Sequence, residues 1–241
     1  MSKPSLLLLP GLLCDIAVWN DPIRLLKAQV DCHVPDYGLR ASLTAMAHHV
    51  LSSAPAEHFS LAGHSMGGRV ALEVMRLAPH RVERIALLDT GYQPLPAGAA
   101  GDQESALRMA LLERARTAGM RVMGQAWARG MVHDTRLGTP VFDAILDMIE
   151  RRTPAIFEAQ IRALLTRPDA TPVLESLVVP TLLVCGRDDQ WSPLARHRQM
   201  AALIPRARLE VIEDCGHMTT MERPEAVTHL LAQWLAESSR G

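Results

Sequence analysis

Lysine is nearly missing from this 241-residue chain: Lys3 and Lys27 are the only two, and arginine supplies the rest of the positive charge. Basic and acidic residues number 25 and 26, a formal charge of −1. No basic stripe suggests nucleic acid, and no block of like charge suggests an interaction tail. Cysteine is scarce and scattered, at Cys14, Cys32, Cys185 and Cys215. That spacing offers no C-x-x-C pair and no disulfide framework, so buried or pocket-side thiols in a reducing compartment are expected. Long apolar runs are also lacking. Leu6 to Leu9 is interrupted by Pro10-Gly11, too short for a signal peptide and far short of the roughly 18–20 residues of a membrane span. A soluble, cytoplasmic protein without nucleic-acid or membrane partners is the expectation. H-E-x-x-H, spaced Cys/His sets and G-x-x-x-x-G-K-[ST] are all missing, so neither metal nor cofactor is expected.

Against these absences stands Gly63-His64-Ser65-Met66-Gly67-Gly68. An apolar run, Phe59 to Ala62, precedes it and a helical pattern, Arg69 to Ala78, follows. G-x-S-x-G would turn up by accident in roughly 5–10% of chains this long; its placement between strand and helix adds weight. A serine on so sharp a turn is strained, and glycines two residues either side remove side chains that would collide with strand or helix. The helix beginning there leaves its first N–H groups unpaired, so the Met66 amide is free for an oxyanion. An ordinary glycine-rich turn with Ser65 as helix cap is the alternative.

Around this motif the chain alternates strand and helix. Strands are expected at Leu6 to Leu9, Gln29 to Val34, the run into Ser65, and Val82 to Leu88. Helices are expected after Trp19, from Ser42 to Pro55, and after Ser65. The alternation implies a parallel sheet with right-handed crossovers. From about Asp102 to Arg167 only helical patterns occur, broken at Gly119, at Arg136 to Pro140 and at Thr153-Pro154. Strands resume at Thr181 to Cys185 and Ala207 to Ile212, with helices at Pro193 to Leu203 and Pro224 to Leu235. The expected division is an α/β core, residues 1–92 and 176–241, with a helical cap, residues 93–175, inserted after the fourth core strand.

A serine hydroxyl needs a base, and the base needs a third group to fix its tautomer. Loops at strand carboxyl ends are where a sheet enzyme places such groups. Two remain after the helical block: Gly186 to Pro193, carrying Asp188 and Asp189, and Glu213 to Met218, carrying His217. Asp89, at another strand end, is a rival acid. Cys14 and Cys215 are conceivable thiol nucleophiles, but neither sits at a turn like that of Ser65.

With those residues in place, the chain resembles an α/β-hydrolase of the small, cap-bearing, carboxylesterase-like kind over nearly its whole length. The order Ser65, Asp, His217 is that family's order. Gly186, Asp189 and Pro193 match its acid turn, which favours Asp189 over Asp188, and Gly216-His217 matches its base turn. The resemblance implies a second oxyanion amide at Leu12, although Pro10-Gly11 replaces the family's His-Gly. It also implies a doubly wound sheet of six parallel strands without the family's leading hairpin. Met120, Met123, Trp127 and Met131 recur at spacings of 3, 4 and 4, which puts them on one helix face. Together with Cys14, Trp191 and Met218, the residues Met120, Met123 and Trp127 are expected to line the substrate pocket; Arg121 and Arg129 are candidates for contact with an anionic substrate. The expected reaction is hydrolysis of a carboxylic ester or related acyl compound by Ser65, Asp189 and His217, with Leu12 and Met66 as oxyanion donors. A lyase or C–C hydrolase on the same scaffold is one alternative. Plant hydroxynitrile lyases are imperfect parallels, since their oxyanion-loop threonine and pocket lysine have no equivalent here. A slow-turnover ligand receptor is the second alternative. Oligomeric state is left open.

Overall fold

The computed structural model describes residues 3–237. The first strand, β1 (Ser5–Leu9), is buried along its whole length, as a strand covered on both faces must be. A 3-10 turn at Ile16–Trp19 leads into α1 (Asn20–Leu26), and β2 (Asp31–His33) is half the length expected. Its residues are partly exposed, so the sheet edge has little apolar surface to extend it. Next come α2 (Leu43–Ser53), β3 (Phe59–His64), α3 (Met66–Leu77) and β4 (Val82–Leu88). The Ser42 hydroxyl caps α2 by accepting from the Ala45 amide at 3.1 Å.

Five helices then join β4 to the next strand: α4 (Ala99–Ala118), α5 (Met120–Trp127), α6 (Pro140–Glu150), α7 (Pro154–Leu165) and α8 (Thr171–Glu175). Gly119 separates α4 from α5 at φ 90°, and prolines open α6 and α7 where a missing N–H costs nothing. The chain closes with β5 (Thr181–Gly186), α9 (Leu194–Leu203), β6 (Ala207–Ile212), α10 (Thr219–Glu222) and α11 (Pro224–Ala236).

All six strands run parallel in the order β2-β1-β3-β4-β5-β6. The strand order reverses between β1 and β3, and the crevice beyond the carboxyl ends at such a reversal is where open α/β sheets bind ligands. The loop after β1 and the turn after β3 meet there. Leu6, Leu8, Leu9, Leu61, Ile85 and Leu87 are inaccessible to solvent, so the strand ends project from an apolar slab. Among the described residues, no helix is long and apolar enough to cross a membrane.

Candidate active site

Ser65 occupies the turn between β3 and α3 at φ 54°, ψ −118°, a conformation that costs a non-glycine residue on the order of 1–3 kcal/mol. Its surroundings hold it there. The Ser65 amide donates to the Leu88 carbonyl at 2.9 Å, and its own carbonyl accepts from the Thr90 hydroxyl at 2.6 Å. The glycines of the motif are sterically required. A Cβ on Gly63 would lie 2.4 Å from the Gly67 carbonyl oxygen, and one on Gly67 would lie 2.1 Å from that of Leu9.

His217 approaches from the loop after β6. Its Nε2 lies 2.8 Å from Ser65 Oγ and its Nδ1 lies 2.9 Å from Asp189 Oδ2. Asp189 Oδ1 accepts from the amides of Trp191 and Ser192, both at 2.8 Å. Burial alone would raise the Asp189 carboxyl, but His217 and those two amides outweigh it and hold the group below its ordinary value. An ionised carboxylate only accepts, so Nδ1 carries the ring proton and Nε2 turns a lone pair toward the serine hydroxyl. Of the two rivals, Asp188 is exposed, 3.8 Å from His133. Asp89 is buried and spends its oxygens on the Gly186 amide and the Thr219 hydroxyl. Burial pushes the Cys14 thiol up to about 12 and raises Cys215 further, so neither is a thiolate at neutral pH.

Two glycines let these loops close. A Cβ on Gly186 would meet the Gly216 carbonyl oxygen at 2.0 Å, and one on Gly216 would meet backbone of Met131 to His133 at 2.7–2.8 Å. The helical segment therefore touches the base loop directly, and the His217 amide donates to the Met131 carbonyl at 2.7 Å. On the other side, the Leu13 amide donates to Gln160 Oε1 of α7 at 2.8 Å, with Leu13 itself at φ 60°. Among the described residues, no hydrogen bond occupies the N–H of Leu12 or of Met66.

These groups open into a cavity of about 640 Å³ between the strand ends and the helices. Leu12, Cys14, Ser65, Met66, Trp127, Trp191 and His217 all line it. Met120, Met123 and Met218 do not: they are buried in packing away from the cavity. Only the far end of the expected face reaches the cavity: Trp127, the last residue of α5, and Met131, in the 3-10 turn that follows. Trp127 stacks on Trp191 at 4.9 Å between ring centroids, and Trp191 on His217 at 5.3 Å. Arg121 is tied to Asp147 and Glu150 at 2.6 and 2.8 Å, and neither it nor Arg129 reaches the cavity.

Sequence reasoning passed over four groups. Gln160 anchors the β1 loop, as above. Glu222 accepts from the amides of Gly216, Met218 and His133 and so braces the base loop on both sides of His217. His64, inside the motif itself, binds the His217 carbonyl at 2.8 Å; burial drives its pKa to about 3, so the ring is neutral. Arg69 lines the cavity, and its position four residues after Ser65, one helical turn on, was a readable signal. Among the described residues, one set of possible metal donors also converges: Asp89, Cys185 and Asp189. Each carboxylate there is already committed to the hydrogen bonds given above, and burial keeps the Cys185 thiol protonated.

Comparison with known proteins agrees with this architecture. The chain is 28% identical to the pimeloyl-[acyl-carrier protein] methyl ester esterase of Aromatoleum aromaticum, over 93% of this chain and 95% of that one. It is 25% identical to the 2-hydroxy-6-oxononadienedioate/2-hydroxy-6-oxononatrienedioate hydrolase of Escherichia coli, over 84% and 71%. A solved thermophilic esterase from Thermogutta terrifontis superposes with a TM-score of 0.89 at 27% identity, covering 97% of this chain and 90% of that one. The sequence profile of the alpha/beta hydrolase family matches residues 6–230, and the chain belongs to that family.

Proposed function

We propose that this protein is a serine hydrolase that cleaves a carboxylic ester of a small molecule through an acyl-enzyme. The observation that carries the reading is the hydrogen-bonded series Ser65, His217, Asp189 at the wall of the cavity. His217 Nε2 takes the hydroxyl proton as Ser65 Oγ attacks the carbonyl carbon. The oxygen that becomes negative is held by the N–H groups of Leu12 and Met66, which would otherwise stay unpaired. The carbonyl re-forms, the C–O bond to the alcohol breaks, and the leaving oxygen receives the proton from Nε2. Water then repeats the sequence against the acyl-serine, releasing the acid and restoring Ser65. Asp189 keeps the ring in the required tautomer and stabilises its charged form. The named activities of the Aromatoleum and Thermogutta proteins support the ester reading. Four unpaired cysteines, Cys14, Cys185 and Cys215 among them buried, support a reducing, cytoplasmic setting.

The Escherichia coli relative motivates a second reading, since the compound in its name has no ester and hydrolysing it breaks a carbon–carbon bond. The acyl-enzyme separates the two. A serine-reactive phosphonate is expected to label Ser65 alone, and Ser65→Ala to abolish labelling and ester turnover together. After rapid mixing with a slowly deacylated ester, the acyl mass is expected on the peptide containing Ser65. If no ester in a broad panel acylates it, while C–C cleavage proceeds only with Ser65 intact, the ester reading is wrong.

A further inference from the structure

Four arginines and one glutamate line the cavity: Arg69, Arg108, Arg167, Arg196 and Glu104. The glutamate is fully engaged. Arg167 holds both its oxygens, at 2.7 and 2.8 Å, and Arg108 pairs with Oε1 at 3.0 Å. Arg69 and Arg196 have no carboxylate partner among the described residues; each donates to a backbone carbonyl, of Gln93 at 2.8 Å and of Trp191 at 2.9 Å. Yet the two are brought together. A Cβ built on Gly91 would lie 2.8 Å from Arg69 Nη2 and 3.4 Å from Arg196 Nη1, so both nitrogens border one point.

Two like charges side by side, partly withdrawn from water, are unfavourable unless something compensates them. Burial, and next the charges of Arg167 and Arg196, pull the Arg69 guanidinium down to about 9, still protonated at neutral pH. A planar anion between two guanidinium forks removes the repulsion and gains charge-assisted hydrogen bonds. Arg69 lies one helical turn from Ser65 on the same helix, so the anion and the scissile carbonyl belong to one small molecule.

We propose that Arg69 and Arg196 form an anion subsite, and that the substrate is an ester that also carries a free carboxylate. The inference rests on the ester reading above and refines its substrate class. Carboxylate is the anion assigned because its two coplanar oxygens match flat guanidinium groups, and phosphate is the competitor the test includes.

The test pairs monomethyl esters of dicarboxylic acids of increasing length with their dimethyl counterparts, and acetyl esters of hydroxycarboxylic acids with their amides. At the best length, the free carboxylate is expected to raise kcat/KM by about ten- to a hundredfold, mainly through KM, the range for hydrogen bonds to a charged group. Arg69→Gln and Arg196→Gln should each collapse that ratio to within about threefold, and Arg196→Lys should retain part of it. Arg121→Gln, already paired outside the cavity, should leave the ratio unchanged. Calorimetry on Ser65→Ala protein reads the subsite without turnover: a half-ester should bind at least about tenfold tighter than its diester. Esters turned over without charge preference, and bound without it, would overturn the subsite and leave the hydrolase reading standing. Half-ester binding that depends on Arg69 and Arg196, with no ester turned over, would sustain the subsite and remove the ester reading. Tighter binding of a phosphomonoester or sulfonate of equal length would overturn the carboxylate assignment.

Discussion

At the strand ends, the groups facing the cavity are held by backbone packed too closely to admit a Cβ. The helices above them are held to the same place largely by single side chains reaching across the fold, with one backbone tie from His217 to Met131. Gly63, Gly67, Gly186 and Gly216 all sit where an added carbon would meet backbone within 3 Å. From the helical side, Gln160 accepts from Leu13, Arg151 pairs with Asp15, and Arg152 binds the Cys14 carbonyl and Asp36. Three of these ties land on Leu13, Cys14 and Asp15, the loop that carries Leu12. The turns carrying Ser65 and Asp189 are thus set by the sheet, while the loop of Leu12 is tied to the helices by side chains and the loop of His217 by backbone contact with Met131 to His133. Disturbing one region should abolish chemistry, and disturbing the other should tune it.

The largest effect belongs to the sheet side. Asp189→Asn keeps one oxygen, taken by the Trp191 and Ser192 amides, and turns an NH2 toward Nδ1, so the ring takes the wrong tautomer and kcat should fall on the order of 10⁴-fold with the fold retained. Asp188→Asn, exposed and outside the hydrogen-bonded series, should stay within a few-fold of the parent. Steady-state kinetics on any ester turned over by the parent checks both. Equal losses would mean that neither carboxyl has the orienting role.

That contrast also explains what was legible in the sequence. Strand and turn motifs are local: Ser65, Asp189 and His217 each sit in a short pattern whose glycines answer to contacts with neighbouring backbone. The parallel order followed from alternation, and only β2 came out shorter than its apolar pattern suggested. In the helical segment the periodicity located helices but not faces. Met120, Met123, Trp127 and Met131 match one helical stripe, yet only Trp127 and Met131 reach the cavity, while Met120 and Met123 are buried in packing away from it. Gln160 was not legible because its partner lies 147 residues away, a distance no spacing rule covers; Glu222 reaches His133 across 89 residues, but its bonds to Gly216 and Met218 are local and belong to no motif that names a carboxylate there.

The second effect is on stability. Gly67→Ala places a carbon 2.1 Å from the Leu9 carbonyl oxygen, and relieving it means separating β1 from α3. The urea midpoint should drop by the equivalent of about 3 kcal/mol or more, the upper end for overpacking. Gly98→Ala, at φ 66° and ψ −149° but with nothing within 4 Å, meets only the backbone penalty, about 1–3 kcal/mol, and should lose less than Gly67→Ala. Similar losses would show that backbone contact does not distinguish the strand ends from the loop that leads into α4.

A smaller effect tests the shared loop. Gln160→Leu leaves the buried Leu13 N–H without an acceptor, at a cost of about 1–3 kcal/mol. Because Leu13 follows Leu12 at positive φ, kcat should fall about tenfold as the Leu12 amide loses its orientation, within the range one oxyanion donor supplies. Gln160→Glu keeps an acceptor and should recover part of the rate. Lost stability with unchanged kcat would confine Gln160 to a structural part.

The smallest effect separates the two regions by proton binding. The chain between β4 and β5, which carries α4 to α8, has one histidine, His133, and it is not buried. The sheet side buries His64 and His217 at strand ends and His197 on α9, beside the end of β4. His197 Nε2 accepts from the Thr90 amide at 3.2 Å, which requires a neutral ring, and burial, above all, lowers its pKa to about 4. In the unfolded chain the same ring titrates near 6.5. Between those values the unfolded state holds a proton that the folded state lacks, so His197 makes stability fall as pH falls, by up to about 1.4 kcal/mol per pH unit. Above 6.5 it contributes no slope. His64 acts in the same sense, whereas Asp89 and Glu222, both raised chiefly by burial, act in the opposite one. The parent's slope alone is therefore a sum, and the informative quantity is its difference from His197→Gln, whose amide still offers an acceptor to Thr90. Urea unfolding at a series of pH values should give a shallower decline for His197→Gln between pH 6 and 4.5, about 1 kcal/mol per unit less, and parallel curves above pH 7. Parallel curves throughout would mean that the folded protein protonates His197 as readily as the unfolded chain does. The acid sensitivity would then have to come from somewhere other than this part of the strand ends.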